Sequence, residues 1–147
     1  MTRWYRIFGS NEVLPEPASL ESQLGPTGTA HFAADNQGWY SAELTVASGP
    51  VLTLERFHVE EEGIRAELNS WAAFLESLAE QQPAAVPLME RVIQTRQLFT
   101  LSCPDEPAIQ EFAVPLSQIL ARLTEGVYQV DGAGFYDPTG NLLVREA

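Results

Sequence analysis

The chain contains no lysine. Its 147 residues carry eight basic side chains, all arginine, against 16 Glu and 4 Asp, so the formal net charge is −12. No two arginines are adjacent. Proteins that bind a nucleic-acid backbone replace its counter-ions with clustered Lys and Arg, so this composition excludes nucleic acid as a direct backbone ligand. An anionic membrane surface is disfavoured on the same ground. The missing Lys also rules out the phosphate loop G-x-x-x-x-G-K-[ST], and G-x-G-x-x-G is absent as well. Gly132-Ala133-Gly134 follows an expected strand, but no helix starts there to present its N–H groups to a phosphate.

Cysteine is nearly absent. Cys103 stands alone, which excludes an internal disulfide and suits a reducing compartment. The opening residues Met-Thr-Arg-Trp-Tyr-Arg lack the apolar stretch of a secretory signal. No apolar run approaches the roughly 18 residues of a membrane span. The expected setting is the cytoplasm.

Histidine is scarce too, with only His31 and His58. His58-Val59-Glu60 has the form H-x-E, but a zinc deaminase also needs P-C-x-x-C downstream, and Cys103 has no partner. Asp131, Asp137 and Asn141 do not match a calcium-loop spacing and read as turn chemistry. G-x-S-x-G is missing. No metal and no cofactor is expected, and Cys103 reads as a small buried hydrophobe. With 20 acids in the chain, any carboxylate pair can be picked, so such pairs point to no catalytic site.

What remains is a globular composition, 45% apolar and 10% aromatic, at a length that suits one domain over residues 1–147. Residues 3–8 are aromatic and β-branched and read as a strand. Residues 11–28 hold Pro15, Pro17, Gly25, Pro26 and Gly28 and read as loop, with a short helix around Leu20 and Leu24. A β-meander follows: a strand over 29–34, a turn at Asp35-Asn36-Gln37-Gly38, and a strand from Trp39 to Val46. Strict alternation puts Tyr40, Ala42, Leu44 and Val46 on one face of that strand, and Trp39, Ser41, Glu43 and Thr45 on the other. Ser48-Gly49-Pro50 turns the chain into a strand over 51–58.

The period then changes. Ile64, Leu68, Trp71, Leu75 and Leu78 step by four and three, which predicts an amphipathic helix over 61–81. Glu60, Glu61 and Glu62 suit its positive end. A shorter helix is expected over 84–95, a strand over 97–103, and a third helical region that Pro104-Asp105-Glu106-Pro107 opens, where Ile109, Phe112, Leu116 and Leu123 keep the helical step and which Pro115 either kinks or divides. Gly126 suits a helix C-cap. Val127–Asp131 and Leu142–Arg145 read as a terminal hairpin. Together these predict an α+β fold: an antiparallel sheet of about five to seven strands, with three or four helices packed mainly on one face. The expected core is Ile7, Tyr40, Leu44, Leu54, Leu68, Trp71, Leu75, Phe99, Leu116 and Leu120.

Two features point to interaction. Trp39 shares its face with polar residues, so it is an exposed aromatic anchor if that face is wet. Residues 59–126 carry −7 of the net charge, concentrated on helices. The first expectation is a non-enzymatic protein-binding module. Its acidic helical face, with Glu60, Glu61, Glu62 and Trp39, would engage a basic protein, as an immunity-type inhibitor covers a cationic nuclease site. The alternatives are a small-ligand sensor or enzyme with a site around His31, His58 and nearby Glu, and a structural homo-oligomer subunit.

Overall fold

A computed structural model describes residues 1–47 and 49–146. The expected Ser48 turn residue lies outside them. The fold is α+β, with four α-helices and one antiparallel sheet of eight strands among the described residues, slightly more strands than expected. The strands are β1 (Thr2–Gly9), β2 (Thr29–Asp35), β3 (Gly38–Thr45), β4 (Val51–His58), β5 (Gln97–Pro104), β6 (Val127–Val130), β7 (Gly134–Tyr136) and β8 (Leu142–Arg145). Their spatial order is β2-β3-β4-β5-β1-β6-β7-β8. β1 is therefore central, paired along its whole length with β5 and over Tyr5–Phe8 with β6. The expected terminal hairpin is a three-stranded meander, because Gly134–Tyr136 inserts between its two arms.

The helices are α1 (Pro17–Glu21), followed by a 3-10 turn at Ser22–Leu24, then α2 (Ile64–Leu78), α3 (Ala85–Ile93) and α4 (Pro107–Leu123). They divide between the two faces of the sheet rather than gathering mainly on one. Tyr5, Ile7, Leu52, Leu54, Phe99, Leu101 and Tyr128 pack with Leu20 of α1 and with Ile109, Leu116 and Leu120 of α4. Phe8, Leu98, Val127, Phe135 and Val144 point the other way and pack with Leu68 and Leu75 of α2 and Leu88 and Val92 of α3. The reason lies in the strand patterns. β1 and β6–β8 supply apolar side chains to both faces. The outer half of the second face is polar: the register brings His31, Glu43, Thr53 and Ser102 into one row, and Ser41, Glu55 and Thr100 into the next.

Pro115 lies inside α4, which runs through it as one helix. α4 ends in a Schellman motif: the Gly126 N–H donates to the Ala121 carbonyl at 2.8 Å and the Glu125 N–H to Arg122 at 3.3 Å. The left-handed residue is Glu125, at φ 51°, rather than the glycine expected there. Among the described residues, no helix is long and apolar enough to cross a membrane.

An acidic cleft as the candidate functional site

A bulge shapes the end of the sheet where β2 and β3 meet. Ala33 pairs with Ser41, but the next residue, Ala34, pairs with Trp39, so Tyr40 is the extra residue on β3. The bulge shifts the phase of the strand. Trp39 joins Ala42 and Leu44 in the core, and Tyr40 turns outward. Both sequence expectations at this point are corrected. Tyr40 is 47% exposed instead of core, and Trp39 is 3% exposed instead of a surface anchor. The Trp39 indole N–H donates to the Pro15 carbonyl at 2.7 Å, and its ring packs on Phe32 and Phe99. The remaining expected core residues are buried, except Trp71, which is partly exposed.

Past the bulge β3 parts from β4. The β3–β4 register covers Ser41–Thr45 against Val51–Glu55, whereas β4 continues to His58 along β5. The parting opens a cleft of about 630 Å³. Asp35–Gly38 and Tyr40 line one wall, Glu55–Glu61 the other, with Glu12 and Arg96 alongside.

Five carboxylates line this cleft: Glu12, Asp35, Glu55, Glu60 and Glu61. Two are held by backbone N–H groups. Asp35 Oδ1 accepts from Gln37 at 2.8 Å, and Glu61 Oε2 from His58 at 2.6 Å. Glu12 pairs with Arg96 at 3.1 Å. Glu55 and Glu60 have no ion-pair partner among the described residues.

Arg56 runs against this pattern. Its side chain fills the gap left by the parting strands and the residue is only 5% exposed. Nε donates to Gln97 Oε1 at 2.9 Å and Nη1 to the Trp39 carbonyl at 3.1 Å. Nη2 lies 3.3 Å from His58 Nε2; with guanidinium as the donor, the imidazole accepts there and carries its own proton on Nδ1. Gln97 is braced in turn, donating to the Asn11 and Val13 carbonyls at 2.9 and 2.8 Å. Burial lowers the Arg56 pKa, while the charges of Glu61 and Asp35 oppose that shift. No carboxylate comes within 4.0 Å of its guanidinium among the described residues.

The glutamates flagged by the sequence fall differently from expectation. Glu60, Glu61 and Glu62 precede α2 instead of opening it, because the chain reverses at His58–Glu61 and the helix waits for Gly63, at φ 86°. Glu60 and Glu61 line the cleft, while Glu62 is exposed outside its lining. His31 and His58 are not brought together. His31 sits opposite Glu43 in the row of Thr53, on the polar face, whereas His58 lies five residues further along β4 beside Arg56. That is roughly 16 Å along the strand alone. Among the described residues, no group of three or more His, Cys, Asp or Glu is placed to hold a metal. Arg56, Asp35, Glu55 and Gln97 were not singled out by sequence. They meet only through the bulge and the β4–β5 register, and no local motif announces either.

A second groove, of about 390 Å³, lies between α2 and the terminal strands, lined by Glu67, Ser70, Trp71, Phe74, Asp131 and Glu146. Its groups are largely committed internally. Arg6 lies over the Trp71 ring, 4.8 Å from its centre, and bonds Asp131 at 2.6 Å. Glu146 accepts from the Gly132 N–H at 2.7 Å and from Gln129, and Glu67 accepts from the Trp71 indole at 3.1 Å.

No protein-family model, no curated protein and no solved structure matches this chain.

Proposed function

We propose that the chain is a non-enzymatic binding module that receives a basic partner in the cleft at the end of β2–β4. One observation carries this reading: five carboxylates line a single open cleft whose two arginines are both engaged by the protein itself. Glu55 and Glu60 therefore present uncompensated charge to whatever enters. With −12 on the whole chain, a cationic partner is steered from a distance before these groups make contact. The acidic face of the earlier expectation thus moves from a helix surface to the turn before α2 and the strand ends beside it. The single, buried Cys103 is in keeping with a cytoplasmic setting.

The test uses a short arginine-glycine peptide as the probe and amide chemical shifts as the readout. Shifts are expected to concentrate on residues 35–38 and 55–61 and to weaken as salt shortens the screening length to about 10 Å near 0.1 M. The double variant Glu55→Gln, Glu60→Gln should remove most of the response. Shifts spread over α4, or unchanged by salt and by the double variant, would overturn the reading.

A further inference from the structure

The cleft lining includes a buried arginine as well as the carboxylates. Buried charges are ordinarily paired with an opposite charge, because an unpaired ion in a low-dielectric setting is costly. Arg56 is 5% exposed and lines the cleft, its guanidinium carbon lies 6.0 Å from the centre of the Trp39 ring, and among the described residues its hydrogen bonds go to neutral acceptors: an amide, a backbone carbonyl and an imidazole nitrogen. A guanidinium has five N–H bonds. Three are committed, which leaves one on each terminal nitrogen. Two is the number that a carboxylate accepts in a bidentate pair. The braced geometry through Gln97 fixes the Arg56 plane before any ligand arrives, so little side-chain entropy remains to be lost on binding.

A bare anion is poorly suited to this place, since Asp35, Glu55, Glu60 and Glu61 would repel it on the way in. A guest with charges of both signs satisfies both parts. We infer that the cleft takes the C-terminal end of a basic partner chain, bearing a carboxylate and a guanidinium or ammonium group: the carboxylate pairs with Arg56, and the cation lies among Asp35, Glu55 and Glu60. The C-terminal arginine or lysine of a basic partner has this chemistry. The inference rests on the acidic cleft reading above and adds to it which end of the partner enters.

Three probes separate the two ideas: N-acetyl-arginine, its amide, and N-acetylglycine, each titrated into the intact protein and followed by amide shifts of residues 35–38 and 55–61. N-acetyl-arginine is expected to bind at least tenfold more tightly than the amide, with N-acetylglycine weaker than both. Arg56→Gln should erase the advantage of the acid over the amide. The comparison of probes on the unaltered protein stands even where that variant fails to fold. Equal affinity for acid and amide would overturn the role of Arg56 and leave the acidic cleft standing. Absence of binding by both arginine probes would overturn both ideas. N-acetylglycine binding as tightly as N-acetyl-arginine would overturn the need for a cation.

Discussion

Glu125 and Gly126 should respond to substitution in opposite directions. Gly126 follows α4 and passes directly under β1. A Cβ built on it would lie 2.1 Å from the Phe8 carbonyl oxygen, 2.9 Å from the Phe8 carbonyl carbon and 3.1 Å from the Gly9 Cα, all of them backbone. β1 cannot easily retreat, because it is hydrogen-bonded to β5 and β6 on its two sides and Ser10 donates to the Thr124 carbonyl at 2.8 Å. Gly126→Ala should therefore cost about 3 kcal/mol, the upper part of the range for overpacking a filled interior. For a chain of this length that is a fall of roughly 6–12 °C in Tm. Glu125→Gly should act the other way. It relieves a left-handed conformation that costs an L-residue about 1–2 kcal/mol, offset by the greater freedom of glycine in the unfolded chain, roughly 0.5–1 kcal/mol. The exposed 3.3 Å bond from Asn11 is also lost, so a small gain is expected. Thermal unfolding followed by circular dichroism measures both. A Gly126→Ala variant with an unchanged Tm, or a Glu125→Gly variant that loses stability, would refute this account of the α4–β1 junction.

Trp39→Ala should cost about 3–5 kcal/mol in urea unfolding, whereas Tyr40→Ala, one residue on, should stay within about 0.5 kcal/mol; similar losses at both positions would remove the bulge from the account. Burial raises the Cys103 thiol to about 11, and burial followed by the nearby Cys103 raises Tyr5 to about 12. Both groups favour the native state below their unfolded values, and that contribution is lost as pH rises through the folded ones, so stability should decline between about pH 9 and 12. A disulfide reagent should accordingly label Cys103 at the rate of unfolding, and rapid labelling of the native protein at pH 8 would contradict its burial. Asp137 is held down to about 2, first by the Thr139 hydroxyl, against desolvation, and further by bonds from Asn141 and the Thr139 backbone. The stability that it lends the β7–β8 turn should be complete above its unfolded value near 4 and vanish as pH falls through about 2. Asp137→Asn should flatten that acid limb, and an unchanged limb would assign it to other carboxylates.

Much of the fold was legible because burial in it follows simple periods. The four-three spacing of Ile64, Leu68, Trp71, Leu75 and Leu78 places α2 to within a turn, and the alternation of Ala42, Leu44 and Val46 places the inner face of β3. What escaped were features set by tertiary contact. β7 is three residues long, too short to show a period, and it exists because β6 and β8 lie on either side. The start of α2 shifted because Glu61 folds back to the His58 N–H, a bond that acidic residues before a helix do not advertise. α2 and α3 cover a different face from α4, which depends on strand order, and strand order is not written in local pattern.

The cleft was illegible for the same reason, and the reason is a single residue. Period-two reading carries Trp39 and Tyr40 to the wrong faces only because the strand contains one residue more than its partner. That residue has linked consequences. It rotates Trp39 inward, where the indole finds Pro15. It leaves the Trp39 carbonyl without β4 as a ladder partner, and Arg56 supplies the missing donor. It separates β3 from β4, so Tyr40, Glu55 and Glu60 face an opening instead of a closed sheet. Deleting Tyr40 should then do more than remove an exposed ring. The restored alternation would turn Trp39 outward and close the β3–β4 ladder over Arg56, whereas Tyr40→Ala keeps the residue count and hence the cleft. A deletion variant that keeps its response to the arginine-glycine peptide would show that the bulge does not make the site.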